Sequence, residues 1–229
     1  MKPQCSGCPV LSNALFRSLS SKETERFACV FLPTHYRRNQ ILFFEEGAAQ
    51  HLFALRSGMA KMVKPLENGK ERIVRVLLPG DIFGLEALCH STYPLTCVVL
   101  QESEICSVSR DQFLAFLRAN PDIALKMIQF LVEEATQVRR QITSMSFKDA
   151  QRRLATFLLS LISADRPSGS GPCRLTLPLS GQEIGELLEL SSETVSRAWA
   201  GLRRAGLVDK RGRMVAIQDL AGLENLAQR

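Results

Sequence analysis

The region from about residue 41 to residue 110 constrains the fold most, because its apolar residues come in short runs separated by regularly spaced glycines. Glycine recurs every eleven residues, at Gly47, Gly58, Gly69 and Gly80. No apolar run between them is long enough for a helix, and short strands joined by tight turns produce this spacing. Asn68-Gly69 is also a strong signal for a hairpin turn. The sequence therefore predicts an all-β roll in this region.

A different pattern follows the β-rich region and indicates a long helix. Asn120 and Pro121 suit the N-cap and the first position of a helix. Apolar residues then recur with alternating spacings of three and four, at Ile128, Leu131, Ala135, Val138, Ile142 and Met145. Such a narrow heptad seam is typical of two helices that pack together, whereas a helix packed on its own domain usually has a wider apolar face. We predict a homodimer held by this seam, with packing on the same chain as the alternative.

The C-terminal region opens with a helix and a loop. We expect a helix from Ala150 to Ile162, and a loop over residues 165–172, which are mostly glycine, serine and proline. Ser180 and Glu183 then have the spacing of a capping box, in which two side chains satisfy each other's backbone N–H groups. A short helix is therefore expected to begin after Ser180.

A second helix of this region is expected from Ser192 to about residue 205, with Gly206 as its stop. Two short apolar segments, residues 207–209 and 213–217, follow it and flank a basic turn at residues 210–212. Two helices joined by a turn and followed by a basic hairpin predict a winged helix-turn-helix.

The second helix of this motif divides its side chains between two faces. The apolar residues of the inward face are Val195, Ala198 and Leu202, with Trp199 beside them. Glu193, Ser196 and Arg197 lie on another face, at i, i+3 and i+4. Arginine suits guanine O6 and N7, glutamate can accept from cytosine N4, and serine reaches bases or phosphate. This face therefore predicts base readout from a helix in the major groove.

Positive charge is concentrated around that helix. Between residues 192 and 214, six basic residues stand against the acidic Glu193 and Asp209; they are Arg197, Arg203, Arg204, Lys210, Arg211 and Arg213. Such a cluster would lie along phosphates. The predicted DNA contacts are Glu193, Thr194, Ser196, Arg197, Arg203, Lys210 and Arg211. The alternative for Glu193 and Arg197 is a solvated i, i+4 ion pair.

Composition limits the class of protein and its partners. The chain has 229 residues, of which 45% are hydrophobic and 23% charged, as is ordinary for a globular protein. Lys plus Arg outnumber Asp plus Glu by 29 to 23, and the net charge of +6 favours an anionic partner. No stretch approaches the roughly 18 apolar residues of a membrane span, and the N-terminus lacks the apolar core of a signal peptide. We expect a cytoplasmic protein with no membrane partner.

The segments Gln182-Glu183-Ile184-Gly185 and Ser192-Glu193-Thr194-Val195-Ser196-Arg197 resemble the helix-turn-helix of the CRP/FNR family of bacterial transcription regulators. The resemblance covers nearly the whole chain and implies an α+β fold. It implies an effector-sensing, cyclic-nucleotide-binding-type β-roll with an N-terminal arm over residues 1–118. A long dimerisation helix over 119–147 and a winged helix-turn-helix DNA-binding domain over 148–229 would follow. The implied partners are double-stranded DNA, a second copy of the chain and RNA polymerase.

The recognition helix resembles one branch of that family. The pattern Glu-x-x-Ser-Arg at Glu193, Ser196 and Arg197 is similar to the FNR type, which implies a TTGAT half-site. The cAMP-receptor type has an additional arginine at the position of Ser192. We therefore expect a homodimer on a pseudo-palindrome with TTGAT-like arms.

The sensor region departs from the cAMP-binding members of the family. Their ribose-binding glutamate would stand at Leu85, with Glu86 one residue later, and their phosphate-binding Arg-Ser pair would stand at Leu95-Thr96. A buried phosphate charge without a partner is costly. Cyclic nucleotide binding is therefore not expected.

Cysteine spacing raises the possibility of an iron-sulfur cluster. The odd total of seven cysteines and the missing export signal argue against a disulfide framework. Cys5, Cys8 and Cys106 resemble ligands of the oxygen-sensing FNR members, and thiolates are the expected ligands. The third N-terminal cysteine of that pattern is missing, and Cys29 or Cys97 could complete a set of four only if the fold brings it near. Solvated or buried thiols without a metal are the alternative.

Other signals and other classes of protein are less well supported. A haem or nitric-oxide response would have His35, His51 and His90 available, but no residue pattern selects it. The sequence contains no phosphate-binding loop, zinc-protease motif or nucleophile elbow, so an enzyme is not expected. An assembly module of the cyclic-nucleotide type remains a remote alternative, and the predicted wing argues against it.

Overall fold

The computed structural model describes residues 8–13, 15, 18–66, 69, 71–145, 149–164, 174–177 and 179–228. The chain divides into two compact units, and the boundary between them falls between Gln137 and Val138. Within the described residues, no helix is long and apolar enough to cross a membrane.

An antiparallel sheet forms the centre of the N-terminal unit. Its described strands are β1 (Leu32–Tyr36), β2 (Ile41–Phe43), β3 (His51–Pro65), β4 (Glu71–Leu77), β5 (Ile82–Phe83) and β6 (Thr96–Ser109). The order is β1-β6-β3-β4, with β2 paired to β6 and β5 paired to β3. Pro65 pairs with Glu71 around Gly69, so the predicted hairpin is confirmed. The β-roll predicted for this region is likewise confirmed.

The two longest strands differ from the predicted pattern of short strands joined by turns. β3 has 15 residues and β6 has 14, and the register between them shifts near the middle of both. Gly47 and Gly80 lie in turns, but Gly58 lies within β3 with φ of +89°. The turn predicted at Gly58 is therefore wrong. Gly58 instead allows β3 to bend against β6, because a Cβ there would collide with Ser103.

Helices and short turns complete the N-terminal unit. They are the 3-10 turns Pro9–Ser12 and Leu85–Leu88 and the helices α1 (Ser21–Cys29), α2 (Arg110–Ala119) and α3 (Pro121–Met145). One aromatic cluster joins helices and sheet, where Phe27 stacks on Phe31 and meets Phe113 edge to face. Another lies among the strands, where Phe53 stacks on Phe43 and Phe83. The core therefore has aromatic layers both within the roll and under its helices.

The long helix begins at the predicted residue. Pro121 is the first residue of α3, and the carbonyl of Asn120 accepts from the N–H groups of Ile123 and Ala124. The side chain of Asn120, however, accepts from Arg26 and donates to the carbonyl of Phe116. Asn120 therefore marks the start of the helix while its side chain connects α1 and α2.

The C-terminal unit contains the expected helix-turn-helix and wing. Its elements are α4 (Ala150–Ala164), β7 (Arg174–Thr176), α5 (Gly181–Leu188), α6 (Ser192–Arg204), β8 (Val208–Arg211), β9 (Met214–Ile217) and α7 (Leu220–Gln228). The strand order is β7-β9-β8. The predicted turn at residues 210–212 is wrong in register, because Lys210 and Arg211 lie within β8 and the turn is at Gly212 and Arg213.

Replacing Gly58 tests the bend in β3. We expect Gly58→Ala to destabilise the protein by about 2–4 kcal/mol, because φ is +89° and the new Cβ would collide with Ser103 and the carbonyl of Glu102. Gly69→Ala is the matched control, since φ is +74° there and no described atom lies within 4 Å. It should cost only about 1 kcal/mol. Urea unfolding measures the loss of stability of both variants. Equal losses would contradict the predicted collision of the new Cβ at residue 58.

Candidate nucleic-acid interface

The turn between α5 and α6 is fixed by local hydrogen bonds and one close approach. Ser180 and Glu183 form the predicted capping box at the start of α5. Glu189 ends this helix in the left-handed conformation, and the N–H of Leu190 donates to the carbonyl of Gly185. A Cβ at Gly185 would lie 2.7 Å from the Leu190 carbonyl oxygen. Glycine is therefore required where the chain reverses to begin α6.

The inner face of α6 is buried as predicted. Val195, Ala198 and Leu202 are at most 3% exposed. The helix passes so close to α4 that a Cβ at Gly201 would meet the side chain of Gln151. Burial of this face fixes the rotation of α6 about its axis, and therefore which side chains face solvent.

The opposite face presents the predicted base-reading residues. Glu193, Ser196 and Arg197 are exposed. Ser191 caps the helix by accepting from the N–H of Thr194, whose hydroxyl also lies 3.4 Å from an Arg197 guanidinium nitrogen. In the described part of the chain, Arg197 and Glu193 form no ion pair. The solvated pair considered as the alternative is therefore absent, and both charged groups face solvent without neutralising each other.

The wing adds positive charge beside α6. The Lys210 ammonium lies 5.6 Å from the centre of the Trp199 ring. Arg211 forms an exposed ion pair with Asp209 at 3.4 Å. Arg203 and Arg213 are exposed, and they line the same groove between α6 and the wing as Trp199 and Lys210. The basic residues near α6 therefore divide into two groups, those that line the groove and those that do not.

The predicted dimer seam is exposed where the structure describes its side chains. Ile128 is 57% exposed and Leu131 36% exposed, and Ala135 is also exposed. The side chains of the remaining predicted seam residues, Val138, Ile142 and Met145, lie outside the described part. Leu125 and Val132 were not among the predicted seam residues. They lie on the same side of α3 and are 62% and 60% exposed. The described seam residues therefore do not pack on the N-terminal unit.

The candidate metal ligands are only partly described. Cys5 lies outside the described residues. Cys8 is buried and Cys106 partly buried, and both contribute to one hydrophobic cluster of the N-terminal unit. Among the described side chains, no group of three or more His, Cys, Asp or Glu is placed to hold a metal ion. The described residues alone therefore do not supply the four thiolates of an iron-sulfur cluster.

The other candidate ligands are distributed differently. Cys97 is fully buried, and burial raises the pKa of its thiol to about 12, which disfavours the thiolate. The side chain of Cys29 lies outside the described part. His35, His51 and His90 are exposed and belong to different segments of the N-terminal unit. Among the described side chains, these histidines belong to no group of three or more ligands that could hold a metal ion.

The positions that bind cyclic AMP in relatives of the cAMP-receptor type carry different chemistry here. The hydroxyl of Thr96 accepts from the backbone N–H of Glu45 at 2.9 Å, and its neighbour Leu95 carries no charge. Leu85 begins a 3-10 turn after Gly84. Glu86 in that turn has one buried carboxylate oxygen without a hydrogen-bond partner. This part of the roll therefore contains an acidic group and lacks the arginine of the cyclic-nucleotide pattern.

Two protein-family models match the chain. The cyclic nucleotide-binding domain matches residues 33–120. The Crp-like helix-turn-helix domain matches residues 152–226. The first match covers the sheet of the N-terminal unit, and the second covers α5, α6 and the wing.

Individual proteins are similar over most of their length. The chain is 28% identical over 191 residues to the transcriptional activator protein FnrA of Stutzerimonas stutzeri, across 83% of this chain and 78% of that protein. It is 25% identical over 224 residues to the anaerobic regulatory protein of Pasteurella multocida, across 97% of this chain and 82% of that protein. The structure of FixK2 from Bradyrhizobium japonicum matches with a TM-score of 0.75 at 27% identity, across 86% of this chain and 97% of that one.

The two family models, the strand order of the N-terminal sheet and the winged helix-turn-helix agree with one another. The matches to FnrA and to FixK2 span most of this chain and most of those proteins. The chain belongs to the CRP/FNR family of DNA-binding transcription regulators, and it is not an enzyme.

Proposed function

We propose that this regulator binds as a homodimer to a pseudo-palindrome with TTGAT-like arms, read by Glu193, Ser196 and Arg197. The observation that carries the proposal is the exposed face of α6, on which Arg197 and Glu193 form no ion pair with each other. Arginine can donate two hydrogen bonds to guanine, and glutamate can accept from cytosine. The FNR-like spacing of these residues supports TTGAT as the half-site.

Phosphate contacts supply most of the affinity that does not depend on sequence. We assign them to Thr194, Arg203, Lys210 and Arg211, which lie at the start of α6, near its end and on the wing. Base contacts distinguish sequences, whereas phosphate contacts position the protein on any duplex. The two groups of residues should therefore respond differently to mutation.

Arg197→Ala tests base readout. We expect it to weaken operator binding by about 1–3 kcal/mol and to relax preference at one base pair, because a bidentate contact to guanine is lost. Lys210→Ala is the control and should weaken operator and random duplex alike. Fluorescence anisotropy with both duplexes at several salt concentrations measures the effects. If Arg197→Ala loses the same affinity for the operator as for the random duplex, the assignment of base readout is wrong.

We propose that α3 forms the dimer contact through its exposed apolar stripe. The opposite side of the helix is occupied, because Ile123, Met127 and Phe130 are at most 3% exposed in the N-terminal unit. A contiguous apolar stripe left in solvent marks a protein contact, and heptad spacing suits a second copy of the same helix. The seam residues Ile128, Leu131, Ala135, Val138, Ile142 and Met145, together with Leu125 and Val132, are the proposed contact.

Ile128→Glu tests the dimer. Ile128 is 57% exposed in the single chain, so the substitution should barely affect its folding. In a dimer it would place two carboxylates at the contact, and we expect dissociation to monomers with loss of operator binding. Gln129→Glu adds the same charge at an exposed position beside the seam and should remain dimeric. Sedimentation velocity distinguishes the outcomes, and an intact dimer of Ile128→Glu would exclude this contact.

We propose RNA polymerase as the protein partner of the DNA-bound dimer. One similar protein is named a transcriptional activator. A dimer bound beside a promoter can contact the polymerase, whereas a dimer bound across the promoter blocks it. The position of the operator therefore decides the direction of regulation.

We propose that the signal is not a cyclic nucleotide. A bound cyclic phosphate needs a cation or several donors. Leu95 and Thr96 stand at the positions of the Arg-Ser pair, and the Thr96 hydroxyl already accepts a backbone hydrogen bond. Cyclic AMP should therefore leave operator affinity unchanged.

An iron-sulfur cluster is the second candidate signal system. Cys8 and Cys106 both pack in the hydrophobic core of the N-terminal unit. The resemblance of Cys5, Cys8 and Cys106 to the ligands of the oxygen-sensing FNR members favours this candidate. One similar protein is named an anaerobic regulatory protein. Cys5 would be a further ligand, and the fourth ligand is not assigned.

Anaerobic purification tests the cluster. If Cys5, Cys8 and Cys106 are ligands, the protein should be brown, contain iron and sulfide, and lose operator affinity in air, because thiolates hold such clusters. Cys106→Ser should then be colourless, whereas Cys89→Ser, an exposed cysteine outside the proposed set, should keep the colour. A colourless, iron-free wild-type protein would exclude the cluster and direct the search to haem, nitric oxide or a small organic molecule.

A further inference from the structure

One stripe of α6 is directed toward the wing. Ser196, Trp199 and Arg203 recur at i, i+3 and i+7, which places them on one stripe of the helix. All three line the groove between α6 and the wing. Trp199 is partly buried, so its indole forms a fixed wall of the groove. This stripe lies between the buried face and the base-reading face, and it shares Ser196 with the latter.

Lys210 meets this stripe from the wing. Its ammonium nitrogen is 5.6 Å from the centre of the Trp199 ring, within the range of a cation–π contact. Successive residues of a strand point to opposite faces, so Lys210 points away from the side of Asp209 and Arg211. Those two residues pair with each other at 3.4 Å. Lys210 is thus held by an aromatic ring, whereas Arg211 already has a carboxylate partner.

The groove has the charge that a phosphate requires. Arg203, Lys210 and Arg213 line it, and no acidic side chain does so among the described residues. A cation–π contact engages the ammonium through the face of the ring and leaves N–H donors directed away from it. A lysine side chain otherwise loses much rotamer freedom when its ammonium is fixed. A ring that already restrains the lysine reduces this loss on binding.

We propose that Trp199 is a positioning residue that holds the Lys210 ammonium in the groove, where it binds a backbone phosphate of the operator together with Arg203 and Arg213. The inference rests on the proposed function, since it assigns one strand of the DNA backbone to a defined groove. The inference adds Trp199 as a residue that contacts no base. It also predicts that Lys210 contributes more to phosphate binding than Arg211 does.

A double-mutant cycle with Trp199→Leu and Lys210→Met tests the coupling. We expect Trp199→Leu to weaken operator and random duplex alike by about threefold to fivefold, the size of an exposed cation–π contact. In the Lys210→Met background the same change should have almost no effect. Trp199→Phe keeps an aromatic ring and should stay closer to the wild-type affinity than Trp199→Leu. Circular dichroism and thermal unfolding verify that each variant is folded.

The outcomes separate this inference from the proposed function. If Trp199→Leu weakens binding equally with and without Lys210, Trp199 acts only on the fold and the inference is overturned. The same holds if Arg211→Ala weakens binding as much as Lys210→Ala. If the wild-type dimer binds no duplex at any salt concentration, the proposed function itself fails.

Fluorescence gives an independent readout, because Trp199 is the single tryptophan of the chain. Its emission therefore reports only on this groove. We expect Lys210→Met to change the emission of the free protein, and a saturating random duplex to change that of the wild type. An emission spectrum that responds to neither would overturn the inference, since the ammonium and the phosphate would then lie away from the ring.

Discussion

The exposed surface of α6 depends on the burial of its opposite face. Val195, Ala198 and Leu202 are almost completely removed from solvent. Burying a Val or Leu side chain contributes about 1.5–3 kcal/mol relative to leaving it exposed, so rotating the helix about its axis would forfeit several such contributions. The rotation is therefore fixed, and Glu193 and Arg197 point outward as a consequence. The groove toward the wing follows from the same constraint, because it brings Trp199 to the side where Lys210 lies.

Helix α3 likewise has one face that is buried in the N-terminal unit and one face that is exposed. Its buried side packs in the core, and two ion contacts attach its polar flanks to the same unit. Lys126 donates to Glu23, and hydrogen bonds from Ser20 and Lys126 lower the pKa of Glu23 to about 2. Arg75 lies 3.0 Å from both Asp81 and Glu134. These contacts hold one side of the helix on the unit, so the apolar stripe on the other side is left for a partner. The proposed dimer contact and the packing on the N-terminal unit thus use opposite faces of one helix.

Local signals predicted the helices of the candidate site well. The capping box at Ser180 and the stop at Gly206 act within a few residues, and both are present in the structure. The three-residue and four-residue spacings of α6 located its buried and exposed faces for the same reason. The capping box of Ser20 and Glu23 is an equally local signal for the start of α1. The role of Trp199 beyond the apolar face could not be read in this way, because its partner Lys210 comes from a separate strand.

The sequence by itself determined the order of the elements, the two helical faces and the positive charge around α6, since each depends on neighbours within one or two helical turns. Tertiary structure decided the features that depend on distant pairing. Gly58 lies within a bent strand because β6 passes close to it, and the wing gains a third strand because β7 pairs with β9. Register is set by contacts across a sheet, so the wing turn is at Gly212 and Arg213. Side-chain neighbours from separate elements, such as Trp199 and Lys210, exist only once the packed fold brings those elements together.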